Sequence, residues 1–264
     1  HLPCGWSLSW RPTSEHGYWT WPPVRDLKKQ NPKTGDAIQV FFLVVDENPW
    51  ESVITGMDEG VCGDCIHRKV HKGTWYVWLR SVAQVWTAFK AGTYDVLTTP
   101  EDKIRVGSFK EVRLGAWGDP TCVPIEQIKL ITQESPEWYG YTQNWKQFPE
   151  FRPYLMASTC SIPETIEALK LGWRTYRIKP KDAPLMDNEI QCPYEKSKKR
   201  IKCVRCPTPC NGAGPGKTQK SIVCNPGGRS AHKVFLDKGE KEWLLDQKQP
   251  MKSSAWSWNT IQSW

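Results

Sequence analysis

The sequence predicts an α/β protein, an open or partial parallel β/α barrel of about six strands with an inserted cysteine-rich metal knuckle. Three observations carry this. AIQVFFLVVDE at 37–47 is a continuous apolar run with the β-branched and aromatic composition of a strand buried on both faces. From 111 to 179 strand-like and helix-like segments alternate, which favours parallel pairing through right-handed crossovers. Four cysteines then fall within residues 192–210, among six cations and a single acid.

Residues 1–36 are rich in Trp, Pro and Ser and are expected to be irregular. Residues 37–235 are expected to form one domain that contains the four-cysteine module at 192–210. VWLRSVAQVWTAFKAG at 77–92 spaces Val77, Val82, Val85, Trp86 and Phe89 as a helical face and closes at Gly92. EVRLGAWGDP at 111–120 reads as strand and turn, and PIEQIKLITQ at 124–133 as a helix with Pro124 in its first turn. WYGYTQNW (138–145) and RPYLMAS (152–158) read as strands. SIPETIEALKLG (161–172) reads as a helix, capped by Ser161, with Glu164 at capping-box spacing and Gly172 closing it. WRTYRIK (173–179) and KSIVCNPGG (220–228) supply the last strands. Residues 236–264 are expected to hold a short helix, EKEWLLDQ, and a Trp/Ser tail that is either a loosely packed terminus or a docking segment.

Parallel strands place their C-terminal ends on one rim, where sites in such folds are built. Gly118-Asp119, Thr142, Asn144, Trp145, Ser158 and Cys224-Asn225 fall there. Asp119 precedes Pro120 and is therefore held extended. Asp119 and Asn144 are the candidate catalytic residues, with an acid at that place able to serve as base, ligand or sugar contact. Ordinary capping of the following segment is the competing role for such residues. No Ser-His-Asp order, paired-carboxylate motif or HExxH accompanies them, so the sequence leaves enzyme and binding protein both open.

The formal charge of +8 is localised. Residues 196–220 hold eight Lys and Arg and no acid, so the remainder is balanced. Lys198, Lys199 and Arg200 are the candidate nucleic-acid contacts. The same cations could instead offset thiolates, because four cysteines around a divalent ion leave a net charge of about −2. No stretch approaches the length of a membrane-spanning helix, and HLPCGWSLSW lacks the pattern of a signal peptide. A host-cell cytoplasmic protein without a membrane partner is expected.

Cys203-x2-Cys206-x3-Cys210 brings three sulfurs close together along the chain, at a spacing suited to one ion and awkward for mutual disulfides. Cys192 can supply a fourth. Four thiolates suit tetrahedral zinc or an iron–sulfur cluster, and spacing does not separate the two. In VCGDCIHR, Cys62 and Cys65 with His71 form a second metal or redox candidate, against the alternative of a structural turn with two buried thiols. Cys4, Cys122 and Cys160 read as small buried apolar residues. GAGPGKT at 212–218 imitates a phosphate-binding loop, but Asn211 stands where the motif requires glycine, and no strand leads into it.

Taken in order, VCGDCIHR, VRLGAWGDPTCVP, YGYTQNW, RPYLMASTCSIPETIEALKLGWRTYRI and CPYEKSKKRIKCVRC resemble an uncharacterised family of phage- and plasmid-borne cysteine-rich proteins. The resemblance covers about residues 52–228. Members of that family look distantly similar to radical-SAM-like partial barrels, which implies an iron–sulfur cluster and a ligand at the strand C-termini. This chain departs from the pattern in two places. Trp75 precedes Tyr76 where relatives carry a third cysteine, and the module runs C-x2-C-x3-C rather than C-x3-C-x2-C. The expected function is a metal-binding protein, zinc or iron–sulfur, whose basic module contacts nucleic acid or a partner. The alternative is a metalloenzyme with a radical-SAM-like site on the rim.

Overall fold

Eight short strands, every recorded pairing parallel, frame the computed structural model, which describes residues 32–63, 65, 68, 79–180, 183–213 and 220–225. They are β1 (Ile38–Phe41), β2 (Val112–Trp117), β3 (Trp138–Tyr139), β4 (Tyr141–Thr142), β5 (Met156–Thr159), β6 (Thr175–Ile178), β7 (Glu189–Gln191) and β8 (Ser221–Cys224). One sheet has the order β1-β2-β3, the other β4-β5-β6-β8-β7. Only Gly140 separates β3 from β4, so one extended segment pairs with β2 through its first half and with β5 through its second. A side chain at Gly140 has no room, since its Cβ would lie 2.8 Å from Leu155 Cδ2 and 2.9 Å from Leu114 Cβ. Within each sheet successive strands lie side by side as far as β6, and β8 then inserts between β6 and β7.

Among the described residues seven α-helices connect the strands: α1 (Pro49–Thr55), α2 (Glu59–Cys62), α3 (Leu79–Lys90), α4 (Pro100–Ser108), α5 (Ile125–Thr132), α6 (Ile162–Lys170) and α7 (Pro193–Lys196). Their starts follow capping chemistry. Thr99 accepts from Asp102 N at 3.1 Å to open α4, and Ser161 accepts from Glu164 N at 3.3 Å to open α6. The Glu164 carboxylate reaches one residue further back than a capping box requires, taking Cys160 N at 2.8 Å. Gly92 and Gly172, at φ +67° and +77°, end α3 and α6 in the left-handed conformation that glycine tolerates.

Side chains alternate across the strands. Val112, Leu114 and Ala157 pack on one face with Ile128 of α5, Ala168 of α6, Trp145, Phe151 and Trp173. On the other face of β5, β6 and β8, Met156, Tyr176, Ile178, Ile222 and Cys224 pack with Cys160 and Cys192. The cysteine module lies over this second face, with Tyr194 and Cys210 against it. Between Tyr176 and Ile178, Arg177 points the opposite way and makes a fully buried double ion pair with Glu189, 2.7 Å from Nε to Oε1 and 2.6 Å from Nη2 to Oε2.

Several expectations need correction. The strand expected over 37–47 ends at Phe41, and the Val44 and Val45 carbonyls beyond it accept from Trp86 Nε1 at 3.1 and 3.2 Å. The 152–158 segment follows a 3-10 turn at Pro149–Phe151 and joins the sheet only at Met156. The 138–145 segment pairs as two two-residue strands, and β7 is an additional strand. The terminal segments 1–31 and 226–264, including EKEWLLDQ and the Trp/Ser tail, lie outside the described residues. Among the described residues no helix is long and apolar enough to cross a membrane.

Candidate functional site

The cysteine module is anchored from both ends. Cys192 follows β7 directly, and its N–H donates to Val223 O of β8 at 2.8 Å, so Cys192 and Cys224 sit beside one another at the end of one ladder. Cys203 opens a short 3-10 turn, and its N–H donates to Lys33 O at 2.9 Å. The Cys210 carbonyl accepts from Gly140 N at 3.1 Å, which ties the loop to the join of the two sheets. Arg174 closes the arrangement by donating to the carbonyls of Lys220, Pro209 and Asn211 and to Asn211 Oδ1. Asn211, which breaks the phosphate-loop pattern, is completely buried and donates to Glu137 Oε1 at 2.7 Å. It is a structural pin.

All four cysteines of the module, Cys192, Cys203, Cys206 and Cys210, line one small cavity with Lys33 and Tyr141. All are free thiols. Among the described residues, however, no group of three or more His, Cys, Asp or Glu side chains is arranged, as placed, to hold a metal ion. Cys224 borders the same region: its sulfur lies 3.6 Å from Lys33 Nζ and donates to Glu195 Oε1 at 3.0 Å.

Charge in this region is concentrated on one buried ammonium. Burial works against the Lys33 charge, but thiolate at Cys224, Cys192, Cys203 or Cys210, wherever it forms, more than compensates and lifts Lys33 above the ordinary lysine range. The hydrogen bond with Cys224 holds the Cys192 thiol below its usual range against burial, helped by Lys33 and by the backbone N–H groups of Glu195 and Tyr194. The proton of that pair stays on Cys224, which the same hydrogen bond and burial push up. Burial raises Cys203 to about 11 and Cys210 to about 12, so these thiols stay neutral at pH 7 unless a cation binds them.

Lys198, Lys199 and Arg200 follow α7 on the outer surface and are exposed. Among the described residues none of the three has an ion-pair partner. Lys198 and Lys199 adopt φ +53° and +70°, left-handed values rarely taken by residues with a side chain.

The rim candidates come together elsewhere. Asp119 is buried and accepts four hydrogen bonds, from Thr121 N (3.0 Å) and Oγ1 (2.8 Å) and from Thr142 Oγ1 (3.0 Å) and Gln143 N (2.8 Å). Those donors occupy its carboxylate in joining the ends of β2 and β4. Burial raises its pKa despite them. Asn144 donates to Thr121 Oγ1 at 3.0 Å and abuts Gly63 in the CxxC loop. That loop is pinned by buried Arg68, which donates to both Asp58 oxygens and to the Gly63 and Gly56 carbonyls. Burial first, then the charge of Cys65, Asp58, Asp119 and Cys122, pushes the Cys62 thiol well up. His71 lies outside the described residues, as does Cys4. Cys160 is buried in the apolar cluster as expected, and Cys122 packs against the main core.

Sequence reasoning placed Cys224 on the rim and missed its company with Cys192. The alternation in SIVC contains the signal, since Cys224 must share a face with Ile222. Lys33, far away in the chain, carries none. No protein-family model, curated protein or solved structure matches the chain.

Proposed function

We propose that this is a metal-binding protein of the phage- and plasmid-borne type, holding zinc or an iron–sulfur cluster through thiols of the 192–210 module and contacting nucleic acid through Lys198, Lys199 and Arg200. The observation that carries the reading is the convergence of all four module cysteines, as free thiols, on one cavity that already buries a cation. Thiolate sulfur is the natural donor for zinc or iron, and a bound ion supplies the positive charge that lets buried thiols ionise. Loading has to draw the sulfurs inward from where they stand. The parallel strand pairing, sequential within each sheet as far as β6, suits an open partial β/α barrel, with the module as a knuckle inserted over its inner face. Asp119 supports no catalytic role in this reading, because its acceptor positions are already engaged.

Anaerobic purification followed by a visible spectrum and elemental analysis tests the metal. A brown protein containing iron, or a colourless one containing zinc, is the expected result, and protein with neither ends the proposal. For the basic turn, reversing Lys198, Lys199 and Arg200 to Glu is expected to weaken binding to a duplex DNA probe. It should also reduce the salt slope by about 0.9 for every phosphate that is no longer neutralised. Unchanged affinity and slope would remove nucleic acid from the reading.

A further inference from the structure

Cys192 and Cys224 meet across two neighbouring strands. Gln191 is in register with Val223 in the parallel β7–β8 ladder, and the Cys192 N–H continues it by donating to Val223 O at 2.8 Å. One step further along both strands, Cys192 therefore stands opposite Cys224. Ile190 and Ile222, the pair one alternation earlier, pack in the same cluster as the two cysteines, so all four side chains leave the sheet on one side. Neighbouring strands lie about 4.8 Å apart, and a disulfide spans Cα separations of roughly 4.4–6.8 Å. The two sulfurs also share a hydrogen bond, and both are free thiols. Thiols placed in this way can be joined without moving either strand.

The surroundings give the two sulfurs different parts. Cys192 lines the small cavity of the module, and Cys224 is not among the lining residues. Cys224 instead donates to Glu195 Oε1 at 3.0 Å and lies 3.6 Å from the Lys33 ammonium. One thiol is within reach of a small molecule in the cavity. The other is held by a carboxylate that can take its proton and a cation that can steady the resulting charge. Cys206, by contrast, turns to its own loop and donates to Thr208 O at 3.3 Å.

We propose that Cys192 and Cys224 form a dithiol oxidised by hydrogen peroxide, with Cys192 the sulfur that peroxide attacks and Cys224 the one that closes the disulfide. In the first step an S–O bond forms at Cys192 as the peroxide O–O bond breaks, giving the sulfenic acid and one water. Cys224 then attacks the Cys192 sulfur while its proton passes to Glu195. The S–S bond forms, the S–O bond breaks, and the departing hydroxide takes that proton and leaves as a second water. Two thiols lose two electrons, and one peroxide gains them. The chemistry needs two sulfurs and does not rest on the metal-binding reading; where an ion is bound, the disulfide withdraws Cys192 from it.

The test treats the reduced full chain, freed of metal by a chelator, with hydrogen peroxide and maps its cysteines by mass spectrometry. A Cys192–Cys224 link that dithiothreitol reverses is the expected product. No link, or another pair of cysteines joined first, overturns the proposal. In Cys224→Ser, Cys192 should accumulate as a sulfenic acid trapped by dimedone, whereas the wild type passes on to the disulfide. Equal trapping in the two proteins overturns the part given to Cys224. Glu195→Gln should slow closure of the disulfide by about a hundredfold and leave sulfenic acid formation at Cys192 unchanged. Closure at the wild-type rate removes Glu195 from the reaction. Should Cys224→Ser fail to fold, the link mapped in the wild-type chain decides alone.

Discussion

Lys198 and Lys199 hold two consecutive left-handed backbone positions in the turn after α7, at φ +53° and +70°. For a residue with a Cβ this conformation costs about 1–2 kcal/mol, and glycine relieves it at the expense of greater unfolded-chain entropy. Lys199→Gly is therefore expected to raise stability by about 0.5–1 kcal/mol in urea unfolding, while Lys199→Ala, which removes the same charge and keeps the strain, leaves it near wild type. Equal effects of the two substitutions would show that the turn carries no strain. A lysine kept where glycine fits better is consistent with a role for its charge at the surface. The sequence marked these cations well, because eight of them without an acid stand out in any composition. Lys33 had no such mark. Its place among the thiols is created by the Cys203 N–H to Lys33 O bond, a contact between segments 170 residues apart that no local pattern encodes.

At the level of the elements, helices with caps were the most legible. α6 reads directly from Ser161, Pro163 and Gly172, and β2 from its apolar residues followed by Gly118-Asp119. β7 was illegible for a physical reason: its sequence, Glu189-Ile190-Gln191, carries an acid that should face water. The acid is buried because Arg177 of β6 reaches it on the face away from the cysteines, past the intervening β8. The pair also takes the Pro184 carbonyl and the Met186 N–H, so the 183–189 connection is held with it. Removing one partner leaves a buried charge. Glu189→Ala is expected to cost about 3–5 kcal/mol, and replacement of the pair by Arg177→Met with Glu189→Leu should recover most of that loss. Urea unfolding of the three variants measures this. A single substitution costing less than about 1 kcal/mol would mean that the pair is solvated and does not fasten β7. The same device bears on the site, since β7 leads straight into Cys192.

For the molecule as a whole, the two halves of the proposed function share one short stretch of chain. Cys192 is the N-cap of α7, α7 ends at Lys196, and Lys198, Lys199 and Arg200 form the turn that follows. Holding Cys192 and Cys203 on one ion closes a loop that contains the entire basic turn. Metal binding should therefore order the charges proposed to contact DNA, and by linkage bound DNA should tighten metal binding by the same factor. The coupling has a definite asymmetry under mutation. Removing metal with a chelator is expected to weaken binding to duplex DNA and flatten its salt dependence, because the cations are no longer presented together. Reversing Lys198, Lys199 and Arg200 to Glu is expected to weaken DNA binding while leaving the metal content as in wild type. Circular dichroism during chelation should show most of the signal retained, because the main apolar cluster lies across the sheets from the cysteine-bearing face. DNA affinity that is unaffected by chelation would separate the two functions and leave the thiols as a purely structural staple beneath an independent basic turn.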